Sequence, residues 1–209
     1  ELSDDVGFLI RTGENLSYKD DMIQDASVYG ILESQMTIQP LSFEAGRFIS
    51  SAEFNSGSAV GLIGYDNAEK LFGAAERAMG KEFEVNGKHI KIVGVLKKEG
   101  KNFVGWDYDN CVMLPYKFCR QLIDEKNSNP VIIVKGKEAV TTAALTNELE
   151  GIMRQVRRLS PTQEDNFSLN SVEAFSKAIT DLFGTVNIVG GIIGVISLIV
   201  GMFGIANIM

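Results

Sequence analysis

The C-terminal end of the chain is a long segment without charge. No charged residue follows Asp181, which leaves 28 residues up to Met209. About 20 apolar residues in a helix are enough to cross the hydrocarbon core of a bilayer. The segment therefore predicts a transmembrane helix over residues 188–209, and the residues before it must fold outside the bilayer.

Small residues recur in this segment at spacings of four and three, which place them on one face of a helix. They are Gly190, Gly194, Ser197, Gly201 and Gly204. Such a stripe lets a second helix approach closely, so it predicts a helix-packing face. The alternative is compositional, because glycine is generally more common in membrane helices than in soluble ones.

The composition of the rest of the chain limits its function. With 209 residues and 45% hydrophobic content, the chain can bury a core and form one or two domains in front of the helix. A net charge of -7 argues against a nucleic-acid-binding protein. The basic residues Arg154, Arg157 and Arg158 close a predicted helix, where cations complement the helix dipole. Because the chain starts at Glu1 and stops within an apolar segment, we expect it to be a fragment of a longer protein.

The region before Pro115 is predicted to be rich in strands. Val6 to Ile10 and Ser27 to Leu32 are strand-like, and we expect solvated turns at Asp4, Asp5, Asp20, Asp21 and Asp25. Pro40 separates this part from a second β-rich stretch, 41–115. That stretch predicts a buried strand over 59–63, a helix over 64–73 and a strand over 111–114.

One hairpin in this stretch is strongly indicated. Asn86-Gly87 is the dipeptide preferred in two-residue hairpin turns, because both residues need a positive φ. Strands over 81–86 and 88–97 would then place Phe83 opposite Ile90. The apolar run around Gly94 predicts a bulge or burial on both faces of the second strand.

After Pro115 the hydrophobic period becomes helical. It predicts helices over 116–123 and 138–158, with strands over 131–134 and 167–169. Ser171 is expected to cap a helix with an apolar face at Phe175, Ile179, Phe183 and Val186. No proline follows Pro161, so this helix should continue into the membrane segment.

Searching the sequence for catalytic or cofactor-binding motifs favours none. The stretch from Gly73 to Glu82 differs from a phosphate-binding loop, which needs four residues between its glycines and Ser or Thr after the lysine. We therefore expect no ATP hydrolysis by this chain, no cofactor and no metal. His89 has no second ligand at metal-binding spacing. Cys111 and Cys119 are expected to be separate buried thiols, although a bridge between them is not decided by the sequence.

Asp107 and Asp109 resemble a pair of catalytic carboxylates. An acidic turn before the strand at Cys111 is the favoured interpretation, because no second functional group is close in sequence.

Several short motifs follow one another along the chain. They read EAGRF, AVGLIG, KLFG, MGK, IVGVL and DYD before VMLP. Taken in order, they resemble the periplasmic core domain of MacB-type ABC transporter permeases, and the tail resembles the start of the FtsX-like membrane domain. The motif positions carried over as structural are Gly46, Arg47, Phe48, Leu71, Phe72, Gly73, Gly80, Gly94, Asp107, Asp109 and Pro115. The resemblance covers residues 28–209.

This resemblance implies an α+β architecture. Residues 1–40 and 116–187 would form a porter-like α/β lobe, incomplete at its N-terminus. Residues 41–115 would form an inserted, mostly β sabre lobe, and 188–209 would begin the second of four transmembrane helices.

The resemblance also implies a function. The chain would be a non-enzymatic part of an export permease in the bacterial inner membrane, with its soluble part in the periplasm. Its partners would be a second permease copy, a separate or fused ABC ATPase, a periplasmic adaptor, an outer-membrane duct and membrane lipid. The substrate would be a drug, peptide, toxin or lipoprotein.

Two other functions remain open at this point. The same fold could serve a regulatory permease that controls a cell-wall hydrolase or senses antimicrobial peptides. The chain could instead be a membrane-anchored enzyme that uses Asp107 and Asp109.

Overall fold

The protein is a mixed α/β chain with one long apolar C-terminal helix. The structure, a computed structural model, describes residues 2–100, 107–123 and 128–206. The chain folds as two compact units, Glu1–Val140 and Thr141–Met209. The last three residues of the predicted membrane segment, 207–209, lie outside the described residues.

The first unit is built on one eight-stranded sheet. Its strands are β1 (Ser3–Tyr18), β2 (Asp21–Ile31), β3 (Phe43–Gly46), β4 (Val60–Ile63), β5 (Glu82–Val85), β6 (Lys88–Leu96), β7 (Cys111–Pro115) and β8 (Asn129–Gly136). The hydrogen-bonded order is β2-β7-β4-β6-β5-β1-β8, with β3 on β6, and β1 also pairs with β2. Six strands therefore form a closed circuit, from which β8 extends along β1.

Short helices cover both faces of this sheet. They are α1 (Gln35–Ile38), α2 (Ser51–Ser56), α3 (Tyr65–Phe72), a 3₁₀ helix (Ala75–Ala78) and α4 (Tyr116–Cys119). Alternate strand residues such as Val112 and Leu114 pack with α3, the 3₁₀ helix and α4. Their neighbours Cys111 and Met113 pack on the other face with Phe54 of α2. The period of two in β7 thus divides the core into two layers.

The longest strands lie where the sequence analysis expected only a short strand and acidic turns. Asp4, Asp5, Asp21 and Asp25 all lie within β1 or β2, so the predicted turns there are wrong; only Asp20 lies in the connecting turn. The strands are amphipathic, and Leu16 faces the core between more exposed neighbours. Acidic side chains at the exposed positions of this hairpin concealed the alternation of its apolar residues.

The hairpin at Asn86-Gly87 is confirmed. Phe83 pairs with Ile90, and both turn residues have a positive φ. The strand at 60–63, the helix at 65–72 and the strand at 111–115 are also confirmed within one or two residues. Both Cys111 and Cys119 are free, buried thiols, as expected.

The apolar run around Gly94 is buried on both faces, and the strand pairing is irregular there. The register of β4 against β6 shifts next to this glycine, and that of β3 shifts opposite Val95 and Leu96. A Cβ added at Gly94 would lie 2.5 Å from the carbonyl oxygen of Arg47, and one at Gly46 would lie 2.4 Å from the carbonyl oxygen of Val93. Gly46 also has a φ of 85°. Side chains are therefore excluded at Gly46 and Gly94, where the backbones of β3 and β6 are in close contact.

The second unit contains two helices, α5 (Thr142–Val156) and α6 (Val172–Ala206). The predicted helix over 138–158 begins late, because Thr141 is the N-cap and accepts a hydrogen bond from the amide of Ala144. The strand predicted over 167–169 is wrong, since this segment has no regular structure. The helix predicted over 116–123 is regular only through Cys119.

A pair of glycine substitutions tests the contact between β3 and β6. We expect Gly94→Ala to lower the free energy of unfolding by about 2–3 kcal/mol, because the new methyl group would meet a backbone carbonyl that cannot rotate away. Gly87→Ala is the control, since nothing lies within 4 Å of its added Cβ. Only its positive φ opposes the change, which costs about 1 kcal/mol. Urea denaturation of the chain in detergent micelles measures both, and equal losses would contradict the close contact.

Candidate functional site

The part of the chain that the structure describes holds no metal-binding cluster. Across 2–100, 107–123 and 128–206, no group of three or more His, Cys, Asp or Glu side chains is placed to hold a metal ion. His89 is exposed on β6 and pairs across the hairpin with Glu84. The candidate functional features are therefore the motif positions of the sheet and the long helix.

Three of the motif glycines lie along β6. Gly46 and Gly94 form the close contact of β3 with β6, and the amide of Arg47 donates to the carbonyl of Val93 at 3.0 Å. Gly80 has a φ of 72°, and its amide donates to the carbonyl of Ile92 at 3.0 Å. Gly94 lies in β6, whereas Gly46 lies in β3 and Gly80 in the loop before β5, and both of these contact β6.

Arg47 joins β6 to the start of α2. Its guanidinium donates to both carboxylate oxygens of Glu53, each at 2.8 Å, and also to the carbonyl of Phe48. Glu53 accepts hydrogen bonds from the amide and hydroxyl of Ser50, which is the N-cap of α2. The Arg47 guanidinium, with further help from Ser50, lowers the pKa of Glu53 to about 2.

This cap was missed by the sequence analysis. Its signal was present as Ser50 followed three residues later by Glu53, the capping-box pattern. The Phe48 ring packs beside Phe54 with centroids 5.5 Å apart. The Gly46-Arg47-Phe48 motif thus orients a helix against the sheet.

Asp109 is a buried residue that organises two loops. Its side chain is 4% exposed and accepts hydrogen bonds from the amides of Glu99 and Gly100 at 2.9 and 2.8 Å. Its carbonyl oxygen accepts from the amide of Asp66 at 2.9 Å, in the first turn of α3. Gly64 permits this approach, because a Cβ there would lie 2.4 Å from that oxygen.

Asp107 has a different environment. It is exposed, and its carboxylate accepts hydrogen bonds from the amide and side chain of Asn110. Asp109 therefore links the turn before β7 to the segment after β6, and Asp107 holds the turn itself. Both residues have a structural role.

The remaining motif positions lie at the end of α3 and at the start of α4. Leu71 is buried, Phe72 packs on Tyr18 at 4.4 Å, and Gly73 ends α3 in a left-handed conformation. Pro115 is buried at the end of β7 and is the N-cap of α4. The 73–82 stretch follows a helix and leads into a strand, whereas a phosphate-binding loop leads from a strand into a helix.

The helix α6 is continuous over 35 residues. Ser171 caps its first turn by accepting from the amide of Ala174 at 3.0 Å, as predicted. The segment Val172–Leu198 is long and apolar enough to cross a membrane. Gly190, Gly194, Ser197 and Gly201 are exposed, and Gly204 lies further along the same helix. Their role in helix packing stays a prediction.

Within the second unit, Arg154 organises the segment after α5. It forms an ion pair with Asp165 and donates to the carbonyls of Ser160 and Gln163 at 2.7 and 2.9 Å. One member of the predicted basic cluster is therefore used to hold a loop.

Comparison with known proteins gives a consistent result. A family model described as the MacB-like periplasmic core domain matches residues 5–152. The macrolide export ATP-binding/permease protein MacB of Campylobacter jejuni is 29% identical over 188 residues, covering 88% of this chain and 28% of that protein. YknZ of Bacillus subtilis, an ABC transporter permease, is 27% identical over 191 residues, covering 88% of this chain and 45% of that protein.

A solved structure has a similar fold. The periplasmic region of MacB from Actinobacillus actinomycetemcomitans superposes with a TM-score of 0.68 at 16% identity, covering 86% of this chain and 77% of that one. The chain spans less than half the length of the two curated relatives described above.

Substituting Asp109 and Asp107 one at a time compares a buried carboxylate with an exposed one. We expect Asp109→Asn to lower the free energy of unfolding by about 2–3 kcal/mol, because one carboxylate oxygen is replaced by an NH₂ group facing an amide donor. Asp107→Asn should change it by less than about 0.5 kcal/mol, because its surroundings are exposed. Thermal denaturation followed by circular dichroism measures both. Equal losses would contradict the roles assigned here.

The Arg47–Glu53 ion pair should make stability depend on pH. The carboxyl of Glu53 has a pKa of about 2 in the folded protein and 4.5 as its ordinary value. Its contribution is present above pH 4.5 and is lost as the pH falls towards 2. We expect a loss on the order of 1 kcal/mol, because Arg47 is largely solvated. Glu53→Gln should remove this dependence, whereas Glu44→Gln, at an exposed strand position, should preserve it in urea titrations across this range.

Proposed function

The chain belongs to the family of MacB-like periplasmic core domains, and from this premise we propose that it is the extracytoplasmic part of an export permease. In this proposal the chain is a mechanical part rather than an enzyme, and ATP hydrolysis takes place on another domain or subunit. One relative is named as a combined ATP-binding and permease protein and another as a permease. Both names support a partner ATPase, fused or separate.

The observation that carries this proposal is the exposure of α6. Its apolar side chains are exposed on every side of the helix; examples are Phe183, Ile188, Ile192, Val195 and Leu198, each more than half exposed. A helix that is apolar all round is stable only inside a protein core or a bilayer. Because this one is not buried within its own chain, we place it in the membrane.

The length of α6 supports a mechanical connection. Thirty-five helical residues measure about 52 Å at 1.5 Å per residue, whereas a hydrocarbon core is about 30 Å thick. Glu173, Lys177 and Asp181 are charged and lie in the first ten residues. The first turns of α6 therefore belong outside the bilayer core, and the helix carries movement across the boundary without a flexible linker.

The stripe of Gly190, Gly194, Ser197, Gly201 and Gly204 would then be the surface on which α6 contacts another membrane helix. We propose that this helix belongs to the same permease or to its second copy. A small-residue contact permits the helices to shift against each other when ATP is hydrolysed.

The lobe assignment is also a proposal. Residues 1–40 with 116–187 would be the porter-like part, and 41–115 the sabre-like part. Strands from both parts are hydrogen-bonded, β2 with β7 and β1 with β5. We therefore expect the strands of the two parts to move as one body.

The cellular setting follows from the family. We propose that the domain faces the periplasm from the inner membrane, in a dimer that works with an adaptor and an outer-membrane duct. The transported substrate would be a drug such as a macrolide, a peptide, a toxin or a lipoprotein.

Replacing one turn of α6 tests the coupling. In the intact permease, residues 183–186 are changed to Gly-Gly-Ser-Gly, or to four alanines as a control of equal length that preserves the helix. A spin label at the exposed position 97 of each copy reports the distance between domains. We expect ATP to change this distance in the wild type and in the alanine variant, but not in the glycine-serine variant.

The readout does not depend on knowing the substrate. Within this chain, the native Cys111 and Cys119 are buried, so neither competes for the label; other cysteines of the intact permease are replaced first. An ATP-dependent distance change that persists in the glycine-serine variant would show that α6 does not need to be continuous.

A further inference from the structure

A basic groove lies at one end of the first unit. It has a volume of about 710 Å³ and lies between the β1–β2 turn, the end of α3 and the loop before β5. Two of the sequence motifs, KLFG at 70–73 and the lysine of MGK at 81, line it. The mechanical role of α6 does not use this groove.

The charge of the groove is opposite to that of the chain. Four cationic side chains, Lys19, Lys70, Arg77 and Lys81, line it together with the single carboxylate of Asp21. The whole chain carries a net charge of -7. A concave surface that concentrates the minority charge attracts ligands of the opposite sign.

Three of these cations are available to a ligand. Within the described residues, Lys19, Arg77 and Lys81 form no ion pair, and all three are exposed. Lys70 donates to the side-chain oxygen of Asn110 at 3.1 Å, a neutral partner that leaves its charge uncompensated. The ammonium of Lys19 lies 5.4 Å from the centroid of the Tyr18 ring.

The floor of the groove is apolar. The half-buried rings of Tyr18 and Phe72 pack at 4.4 Å, and Gly73 adds no side chain beside them. Nothing lies within 4 Å of a Cβ built at Gly73, so a peptide backbone has room there. Charged rims around an aromatic floor are typical of protein–protein contacts.

We propose that this groove binds an acidic segment of a partner protein, with an apolar side chain of that segment resting on Tyr18 and Phe72. The cations come from three separate parts of the chain, and they are spread along an open groove. Phosphate-binding sites instead gather backbone amides at one point. The arrangement therefore fits an extended peptide better than a phosphate or a lipid headgroup.

A neighbouring groove of about 470 Å³ indicates how the segment would be oriented. It shares Tyr18, Lys19 and Lys81 with the first, but it also contains Glu82 and Glu84. An acidic ligand would be repelled at that end. We therefore expect the best ligand to have an acidic block at one end and neutral or basic residues at the other.

Fluorescence anisotropy with labelled peptides tests this inference on the chain in detergent micelles. The probe is an extended peptide with an acidic block, one central leucine and a basic block. The comparison peptides have leucine replaced by serine, or both blocks basic. We expect the first peptide to bind, the serine peptide to bind severalfold more weakly, and the basic peptide not to bind. Binding should weaken as salt is raised.

Matched charge reversals locate the binding site. The variant Lys19→Glu/Arg77→Glu/Lys81→Glu should bind the acidic peptide at least tenfold more weakly. The control is Lys88→Glu/Lys91→Glu/Lys97→Glu, which makes the same change in net charge at exposed positions in β6 and directly after it. Its affinity for the acidic peptide should be within twofold of that of the wild type. Circular dichroism verifies that both variants are folded.

Three results would overturn the proposal. One is no binding of the acidic peptide to the wild type, and another is equal loss in both variants, which would reflect net charge alone. The third is that inorganic phosphate or phosphatidylglycerol vesicles bind the wild type more tightly than the acidic peptide does, and that only the groove variant loses this binding. The ligand of the groove would then be a phosphate group. None of these results depends on the coupling role of α6, which is measured separately by the ATP-dependent distance.

Discussion

The close contact between β3 and β6 is the constraint on which the first unit depends. Where Gly46 faces Val93 and Gly94 faces Arg47, two backbones approach without side chains between them. This contact places Arg47 where it can hold Glu53 and the start of α2. Gly94 also pairs with Leu62 of β4, beside the point where the β4–β6 register shifts. One pair of glycines thus lies next to both the start of α2 and the strand that leads into α3.

Local chemistry was predictable from the sequence where turn residues specified it. Asn86-Gly87 fixed the hairpin register, and Ser171 fixed the start of α6. The long pairing of β1 with β2 was not predicted, because the acidic residues at its exposed positions resemble turn formers. The short β3 and α2 were missed, since four to six residues carry too little periodicity.

The candidate site was predictable as a set of positions but not as a set of contacts. Asp109 and Asp107 look equivalent in sequence, yet one is buried against two loop amides and the other is exposed beside Asn110. Only tertiary structure separates them. Similarly, the lysines of the basic groove are dispersed in sequence, and folding of α3 against the β1–β2 turn brings them to one surface.

The pairing of β1 has a consequence for the order in which the protein folds. One edge of β1 pairs with β2 as soon as both are synthesised, but its other edge waits for β5 and for β8 at residues 129–136. Loop closure over such a separation is slow. A chain that emerges residue by residue therefore holds an unpaired, partly apolar strand edge until β8 has followed. Such edges promote aggregation, so a chaperone that shields extended chains would assist its folding.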